Sequence, residues 1–503
     1  LGSILAPEWK TGVLHSHAAV VTLMTIAFYL SGGYFRYMKE QFMYKMFAAL
    51  SGAYTAILSW LAIFAIIEND TVAVFVWTAF LMMGATVAVA GKLGREALYS
   101  FLALNFMLLI VMPGASLTPE VFTVVFTLCS TALVVAGYHM ERKVGALIAL
   151  SLPLCIPVLQ SSISVFAPEW ETGIRHWHAA VLSVLLVSFV LISQYLKKQE
   201  PQISDNEKEQ FMAVYKVFAG LAGIYAALLV WLVTLVFVKD DTFAVLIWSL
   251  LFIASICIAT VTSFGRDMFH AYVTSGLCLL WLYPGLTTTT AMYTVAFTLI
   301  VPVALIAGYY ISRSVNVVYY YSAFTILPVL MSLESVFSPL WKTEVLHKHL
   351  AVMLFVMVMF DCIAIFYMWL QKSLPEKEKE AVGYLTTIAW TMFGIYTARL
   401  VWLVVHALTK SDDTGTMITL FVYTFVGSLL YVLASYTKEH WQRNVALVLF
   451  TFVILRLLLV EVWGMELIGR IITFVVIGVV LIAVAWFIGN RNKKDTEQVE
   501  HTE

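Results

Sequence analysis

Long apolar runs separated by short polar segments dominate the chain. Most runs are about 20 residues long, which is the length that a helix needs to cross the hydrocarbon core of a membrane. They lack the strict alternation of apolar and polar residues that marks a membrane β-strand. The pattern predicts an all-α polytopic membrane protein with seventeen transmembrane helices, at residues 12–34, 45–67, 72–91, 96–112, 119–139, 143–162, 173–196, 212–238, 242–262, 267–283, 289–311, 315–333, 344–370, 382–408, 415–436, 444–462 and 466–489.

Composition supports the membrane class and limits the kinds of functional site that we expect. Of the 503 residues, 61% are hydrophobic and 12% are charged, against about 25% charged in soluble domains. The five cysteines show no CxxC spacing and lie in apolar runs, so we predict neither a disulfide framework nor a cysteine metal site. The sequence carries no nucleotide-binding loop and no hydrolase or zinc-protease motif. We therefore expect no soluble enzyme chemistry and no nucleic-acid partner, and the balance of motifs is against an enzyme.

A long segment of the sequence is repeated. Trp170 and Trp341 are 171 positions apart, and so are Pro113 and Pro284. The run YKMFAALSGAYTAILSWL, from residue 44, is matched by YKVFAGLAGIYAALLVWL from residue 215. Six spans per repeat bring successive copies into the membrane from the same side. The prediction is a set of tandem parallel six-helix repeats at 1–166 and 167–337, a third copy of five helices at 338–490, and a disordered tail at 491–503.

The basic residues indicate an orientation. Of the 30 Lys and Arg residues, 21 fall in the loops after odd-numbered spans or in the C-terminal tail, and 6 fall on the opposite side. By the positive-inside rule, the C-terminus is cytoplasmic and the N-terminus lies outside. The chain begins at Leu1 without a signal peptide, so we expect a further span upstream.

Each repeat opens on the motif Trp-x-Thr-x-x-x-His-x-His, beginning at Trp9, Trp170 and Trp341. Amphipathic Trp and His side chains favour the headgroup level, so an interfacial anchor is one interpretation. A metal or haem site is a second, and proton transfer is a third. Histidines two positions apart on a helix point about 200° away from each other. A metal site would therefore need one histidine from each repeat to converge. The candidate histidines are His17, His178 and His349.

Strong charges inside the spans occur only in the third repeat. They are Asp361, Arg399, Arg456 and Arg470, with Glu461 near an outer end. A buried charge costs several kcal/mol, so each needs a partner or water. One interpretation is structural ion pairing. The other is an anion-binding pocket in which the three arginines hold a phosphate or carboxylate, while Asp361 and Glu461 set their positions and charge.

The C-terminal part of the chain carries a resemblance. The stretch from 438 to 491 resembles the C-terminal signature of uncharacterised bacterial multi-pass membrane proteins that carry domain of unknown function 2339. The matching positions are Arg443, Arg456, Glu461, Arg470, TFVVIG and the segment 486–491. The resemblance implies a repeated multi-span protein of the bacterial cytoplasmic membrane and a shared pattern of charges. It implies no activity and no cofactor.

Three functional hypotheses follow. The first is binding or translocation of an anionic lipid-like or envelope-polymer substrate from the outer half of the membrane, with membrane lipids as partners. The second is a structural or assembly subunit that docks other membrane proteins. The third is a metal- or haem-bearing membrane enzyme that uses the outer histidines.

The predicted orientation can be tested by labelling single cysteines in a cysteine-free background. We expect Lys10→Cys to react with a membrane-impermeant maleimide in intact cells, because the N-terminus is predicted to face outward. Lys493→Cys in the tail should react only after permeabilisation. Labelling of the tail in intact cells would reverse the orientation.

Overall fold

The computed structural model describes residues 4, 8–9, 12–90, 95–111, 118–238, 240–261, 265–282, 289–410, 412–437, 440–457, 471–472, 474–480, 482–483 and 486. No strand lies in the described part of the chain, where the residues after 457 are helical too and eighteen helices lie between residues 16 and 456. They are α1 (Ser16–Tyr37), α2 (Gln41–Ile66), α3 (Asp70–Ala90), α4 (Arg95–Val111), α5 (Pro119–Glu141), α6 (Val144–Ser151), α7 (Cys155–Val165), α8 (Trp177–Gln199), α9 (Asp205–Phe237), α10 (Asp241–Val261), α11 (Arg266–Leu282), α12 (Thr290–Ser312), α13 (Val315–Ala323), α14 (Ile326–Val336), α15 (Lys348–Ser373), α16 (Glu376–Thr409), α17 (Asp412–Thr437) and α18 (His440–Arg456).

The predicted all-α class is confirmed. Twelve helices in the described ranges are long and apolar enough to cross a membrane. Two of these spans are interrupted: α6 and α7 form one span across a short 3-10 turn at Leu152–Leu154, and α13 and α14 form another. The described parts of α4, α11 and α18 are 17 residues each. The protein is therefore an integral membrane protein of many helices.

The leading helices begin four residues later than the apolar pattern predicts. The predicted starts at 12, 173 and 344 become Ser16, Trp177 and Lys348. Gly12 and Gly173 have φ of +129° and +138°, a backbone conformation that an α-helix cannot contain and that favours glycine. Hydrophobicity does not reveal such a turn, because it reports which residues favour lipid and not which backbone conformation they adopt.

One compact unit comprises Leu1–Asp240 with Thr262–Leu279. Helix α5 lies at its centre and packs against α3, α6, α7 and α8, while α1 packs on α2 and α8 packs on α9. Trp77, Leu81, Leu102, Val125 and Phe126 are buried together in one apolar cluster of this unit. Because lipid also covers apolar surface, close packing and polar contacts decide which helix faces meet.

The other unit comprises Asp241–Val261 with Leu280–Glu503. Here α12 is the central helix and packs against α10, α13, α14 and α15, while α15 packs on α16 and α17 packs on α18. A smaller apolar cluster joins the last helices through Leu420, Tyr423, Val453, Leu457 and Ile477. This cluster holds together the part of the chain that carries the intramembrane arginines.

Both central helices end on an arginine in the left-handed conformation. Arg142 follows α5 with φ of +51°, and its backbone N–H donates to the carbonyl of Tyr138 at 2.9 Å. Arg313 follows α12 with φ of +51° and donates in the same way to Tyr309 at 2.7 Å. These contacts close the last turn of each helix and direct the chain into a very short loop.

Glycine permits two close helix contacts in the first unit. A Cβ atom on Gly52 of α2 would lie 2.1 Å from the carbonyl oxygen of Ala97 on α4, and a Cβ atom on Gly223 of α9 would lie 2.4 Å from that of Met268 on α11. Gly394 occupies the matching sequence position in α16 and has open space around it. The close approach is therefore specific to the first two copies.

We expect Gly52→Ala to destabilise the protein by about 1–3 kcal/mol, because the added methyl group forces α2 away from α4. The matched variant Gly394→Ala should leave stability unchanged or raise it slightly, since alanine favours a helix. Thermal unfolding in detergent measures both. Equal melting temperatures for the two variants would contradict the close packing.

Candidate functional site

The first histidine of each pair lies immediately before a leading helix. The Nδ1 atom of His15 accepts a hydrogen bond from the backbone N–H of Ala18 at 3.1 Å. His176 accepts from Ala179 in the same way at 3.3 Å. Both histidines have extended backbone conformations and act as N-caps, a role usually taken by Ser, Thr, Asp or Asn. Sequence reasoning missed this role because histidine is an unusual cap.

The tryptophan of each motif packs against this histidine ring. The ring centroids are 4.6, 4.5 and 4.2 Å apart in the pairs Trp9–His15, Trp170–His176 and Trp341–His347. Each pair meets edge to face. His347 makes the ring contact but forms no side-chain capping hydrogen bond. The motif thus holds the turn before the helix in a fixed conformation.

The second histidine is anchored to the end of the preceding helix. His178 is buried, and its Nδ1 lies 3.1 Å from the Ser164 hydroxyl of α7. The indole Nε1 of Trp170 donates to the carbonyl oxygen of the same serine at 2.8 Å. The corresponding distances in the other unit are 2.9 and 2.8 Å, for the contacts of Ser335 with His349 and Trp341. In each unit, one serine therefore holds both the Trp ring and the second His ring of the motif in place.

The histidines predicted as a metal set have other neighbours in the structure. His17 lies 3.8 Å from Glu8, and the Nε2 of His178 lies 3.4 Å from Glu169. Among the described residues, no group of three or more His, Cys, Asp or Glu side chains is arranged to hold a metal ion. A metal site at His17, His178 and His349 stays an untested hypothesis, and the contacts observed at these residues are structural.

The capping histidine His176 gives the stability of the α8 start a defined pH dependence. Burial, and then the neighbouring His178, lower the pKa of His176 below its ordinary value. Capping also needs the neutral ring, because Nδ1 must accept a hydrogen bond. The unfolded chain protonates this histidine below about pH 6.5, whereas the folded chain keeps it neutral to lower pH. Its contribution to stability is therefore complete above that pH and is lost as the pH falls.

We expect the melting temperature of the wild-type protein to fall more between about pH 7.5 and about pH 5.5 than that of His176→Asn. Asparagine supplies a capping oxygen and does not titrate. The difference between the two curves isolates His176 from the other titrating groups. Parallel curves would show that this ring does not cap the helix as a neutral group.

Arg399 of α16 reaches the end of α14. A terminal guanidinium nitrogen donates to the carbonyl oxygen of Val336 at 3.2 Å, and the guanidinium carbon lies 5.7 Å from the ring centroid of Phe337. Val336 is the last residue of α14, and the negative end of the helix dipole favours a cation there. The Nε atom of Arg399 is buried and has no hydrogen-bond partner in the described part of the chain.

Arg456 ends α18 and lies over an indole ring. Its guanidinium carbon is 3.8 Å from the ring centroid of Trp402 on α16, a close cation–π contact. Trp402 also stacks on His406, with centroids 4.4 Å apart and an interplanar angle of 18°. The Nδ1–H of His406 donates to the carbonyl of Trp402 at 2.9 Å, which leaves Nε2 to accept from Thr416 at 3.3 Å.

Tyr423 of α17 connects the two arginines. Its hydroxyl donates a short hydrogen bond to the carbonyl oxygen of Ala398. It also interacts electrostatically with both Arg399 and Arg456. Helices α16, α17 and α18 therefore bring two of the three predicted arginines to one place. We call Arg399, Trp402, Tyr423 and Arg456 the arginine cluster.

The remaining charges of the predicted site have different positions. Asp361 is half-buried on α15, and the structure shows no ion pair within 4.0 Å for it or for Arg399 among the residues it describes. Glu461 and Arg470 lie outside the described residues. The predicted role of Asp361 as a charge partner is thus not a direct contact with Arg399.

The aromatic members of the cluster were not among the predicted site residues. The sequence could have indicated Trp402, because tryptophan recurs at the matching positions 60 and 231. The sequence could not have indicated Tyr423. Tyrosine is common in apolar helices, and the hydrogen-bond acceptor of this hydroxyl is a backbone carbonyl.

No family model, no curated protein and no solved structure matches this chain.

Proposed function

We propose that this membrane protein binds an anionic amphiphile, such as a lipid or lipid-linked envelope polymer, at the arginine cluster. The observation that supports it is the convergence of Arg399 and Arg456 beside Tyr423 within a helical membrane protein. The same site would serve translocation of that amphiphile. Arg470 and Glu461 complete the proposed site as a third cation and a charge partner, and Asp361 acts on it from α15.

The charge balance favours an anionic ligand. Two guanidinium groups in one apolar surrounding repel each other and cost several kcal/mol to bury. Arg399 has five N–H donors, yet the described residues give it one hydrogen bond, to Val336. A phosphate or carboxylate would neutralise the pair and accept the remaining donors, and Arg is well suited to this because its planar fork binds such groups bidentately.

The depth of the cluster favours a ligand with a lipid tail. Arg399 lies ten residues before Thr409, the last residue of α16, which corresponds to roughly 15 Å along the helix. A water-soluble anion would have to shed its hydration to reach this level. An amphiphile would instead place its headgroup against the arginines and its chains in the surrounding lipid. Trp402 and Tyr423 suit such a boundary, because each has an apolar ring and a polar group.

The proposed architecture is the one inferred from the sequence. It has seventeen spans in parallel repeats at 1–166, 167–337 and 338–490, followed by a tail at 491–503. The recurring contacts of Ser164 and Ser335 with the Trp and His of the next motif support it. The proposal places the N-terminus outside and the C-terminus in the cytoplasm. It assigns the protein to bacterial membrane proteins carrying domain of unknown function 2339.

A structural role is the second candidate, and one contact favours it. Arg399 binds the end of α14 through Val336 and Phe337, so it joins two helices whether or not a ligand is present. Under this hypothesis the cluster stabilises a subunit that assembles with other membrane proteins.

Native mass spectrometry in mild detergent separates the two candidates. We expect the wild-type protein to retain added phosphatidylglycerol and to lose phosphatidylcholine. Arg399→Leu and Arg456→Leu should each weaken retention of phosphatidylglycerol at least tenfold, which corresponds to about 1.4 kcal/mol. Leucine is a suitable replacement at 399, because Leu228 occupies the matching position of the second copy.

Arg443→Leu is the matched control. It removes the same charge from the start of α18, where the side chain is exposed, and should leave retention unchanged. If the cluster variants retain phosphatidylglycerol as the wild type does but melt at a lower temperature, the arginines are structural and the first candidate is wrong.

A further inference from the structure

Three side chains in the core of the first unit each bury a polar atom that has no hydrogen-bond partner. They are Trp77 of α3, Asn105 of α4 and Ser130 of α5, with exposed fractions of 1%, 1% and 0%. The unpaired atoms in the described part of the chain are the indole Nε1, the amide Oδ1 and the hydroxyl Oγ. A buried polar atom without a partner costs free energy, so a partner for these three atoms is expected.

The amide of Asn105 uses only its donor in a contact within its own helix. Its Nδ2 donates to the carbonyl oxygen of Phe101 at 2.6 Å. The neighbours three and four positions away, Phe101, Leu102 and Leu109, share its side of the helix. All three belong to the apolar cluster that contains Trp77. The unpaired amide oxygen therefore belongs to a side chain that points into this cluster.

Asn105 and Ser130 lie at nearly the same depth on neighbouring helices. Phe106 follows Asn105 in α4 and packs edge to face on Phe126 of α5, with ring centroids 5.0 Å apart. Ser130 lies four positions after Phe126, so it is on the same side of α5, one turn further along. The hydroxyl and the amide oxygen are therefore within about 6 Å of each other along the helix axis.

Trp77 approaches the same turn of α5 from the other neighbour, α3. The side chain of Thr78, the next residue, hydrogen-bonds the thiol of Cys129, which precedes Ser130. Trp77 and Cys129 are buried in the same apolar cluster. One turn of α5, at residues 126–130, thus contacts α3 beside the unpaired indole and α4 beside the unpaired amide.

The three groups suit a neutral molecule that both donates and accepts hydrogen bonds. The indole N–H only donates and so opposes a cation, whereas the amide oxygen only accepts and so opposes an anion. The Asp, Glu, Lys and Arg residues of α3, α4 and α5 all lie in the first or last turn of their helix. An ion at the level of Ser130 would therefore be buried without a counter-ion. Water is the smallest molecule with both functions, and an internal water makes about two to four hydrogen bonds.

The second copy of the repeat lacks this combination. Position 276 is glycine and position 301 is valine, 171 residues after Asn105 and Ser130, whereas the tryptophan recurs at position 248. The corresponding helices α11 and α12 form without the amide and the hydroxyl. The helical architecture thus does not itself require these two polar groups in the first copy.

We propose that Trp77, Asn105 and Ser130 bind an internal water molecule in the core of the first unit, between α3, α4 and α5. The water accepts from the indole N–H, donates to the amide oxygen and hydrogen-bonds the serine hydroxyl. Polar contacts between helices help to decide which faces meet in lipid, so this water acts as a bridge among three helices. The site belongs to a different unit from the arginine cluster, and the proposal is independent of that cluster.

Hydroxyl-radical footprinting with pulsed X-rays tests this site, because radiolysis of a bound water oxidises the side chain beside it. We expect Trp77 to be oxidised in the folded protein in nanodiscs, although only 1% of it is exposed. Asn105→Leu should lower the oxidation rate of Trp77 by about fivefold or more, since the acceptor for the water is lost. Met107→Leu is the matched control. It changes a residue of the same helix that is 60% exposed and should leave the rate unchanged.

A second variant removes the hydroxyl without adding bulk. Ser130→Ala should also lower the rate of Trp77 oxidation. An unfolded variant would show the opposite change, because bulk water would then reach the indole, so a lowered rate cannot come from misfolding. Equal rates in the wild type, Asn105→Leu and Ser130→Ala, or a Trp77 rate no higher than that of Trp248, would overturn the proposal. A larger neutral molecule that native mass spectrometry detects on the wild type and not on Asn105→Leu would also overturn it, because the ligand would not be water.

Discussion

Lipid offers no hydrogen-bond partner to a peptide group, and this constraint organises the whole molecule. A helix pairs the peptide groups along its length. The backbone groups at helix ends and interruptions are left unpaired and need other partners. Several hydrogen-bonding side chains lie at these places. Ser164 is an example, because this one residue makes two such contacts. Its hydroxyl hydrogen-bonds His178, and its carbonyl oxygen accepts from the indole of Trp170. The capping ring of His176 then accepts a hydrogen bond from the backbone N–H of Ala179, in the first turn of that helix.

The class of the protein and the positions of most helices could be predicted from the sequence, because apolar length is itself the physical requirement for a span. The helix starts could not. Gly12 and Gly173, the first residues of two predicted spans, adopt positive φ, and histidine capping has no common sequence signal. The arginines of the cluster could be predicted, because a charge inside a span is costly wherever it lies. Its geometry could not, since Tyr423 and Arg399 bind the backbone carbonyls of Ala398 and Val336, and no residue type reveals such acceptors.

The arginine cluster arises where the third copy departs from the other two. Arg399 stands where Ile57 and Leu228 stand in the first and second copies. The surrounding framework is kept, including the tryptophan three residues later and the tyrosine three residues earlier. One substitution thus places a cation against the end of a neighbouring helix without rebuilding the scaffold.

The left-handed arginines that end α5 and α12 carry a wider consequence. A residue with a Cβ atom pays roughly 1–2 kcal/mol to adopt that conformation, and glycine would avoid the cost. Arg142 and Arg313 nevertheless occupy these sites. Under the positive-inside rule, a cation in so short a loop biases which way the flanking helices insert. Two requirements therefore act on the same residue. The folded backbone favours glycine there, whereas membrane insertion during synthesis favours a cation. A glycine there would relax the turn and weaken the signal that orients it.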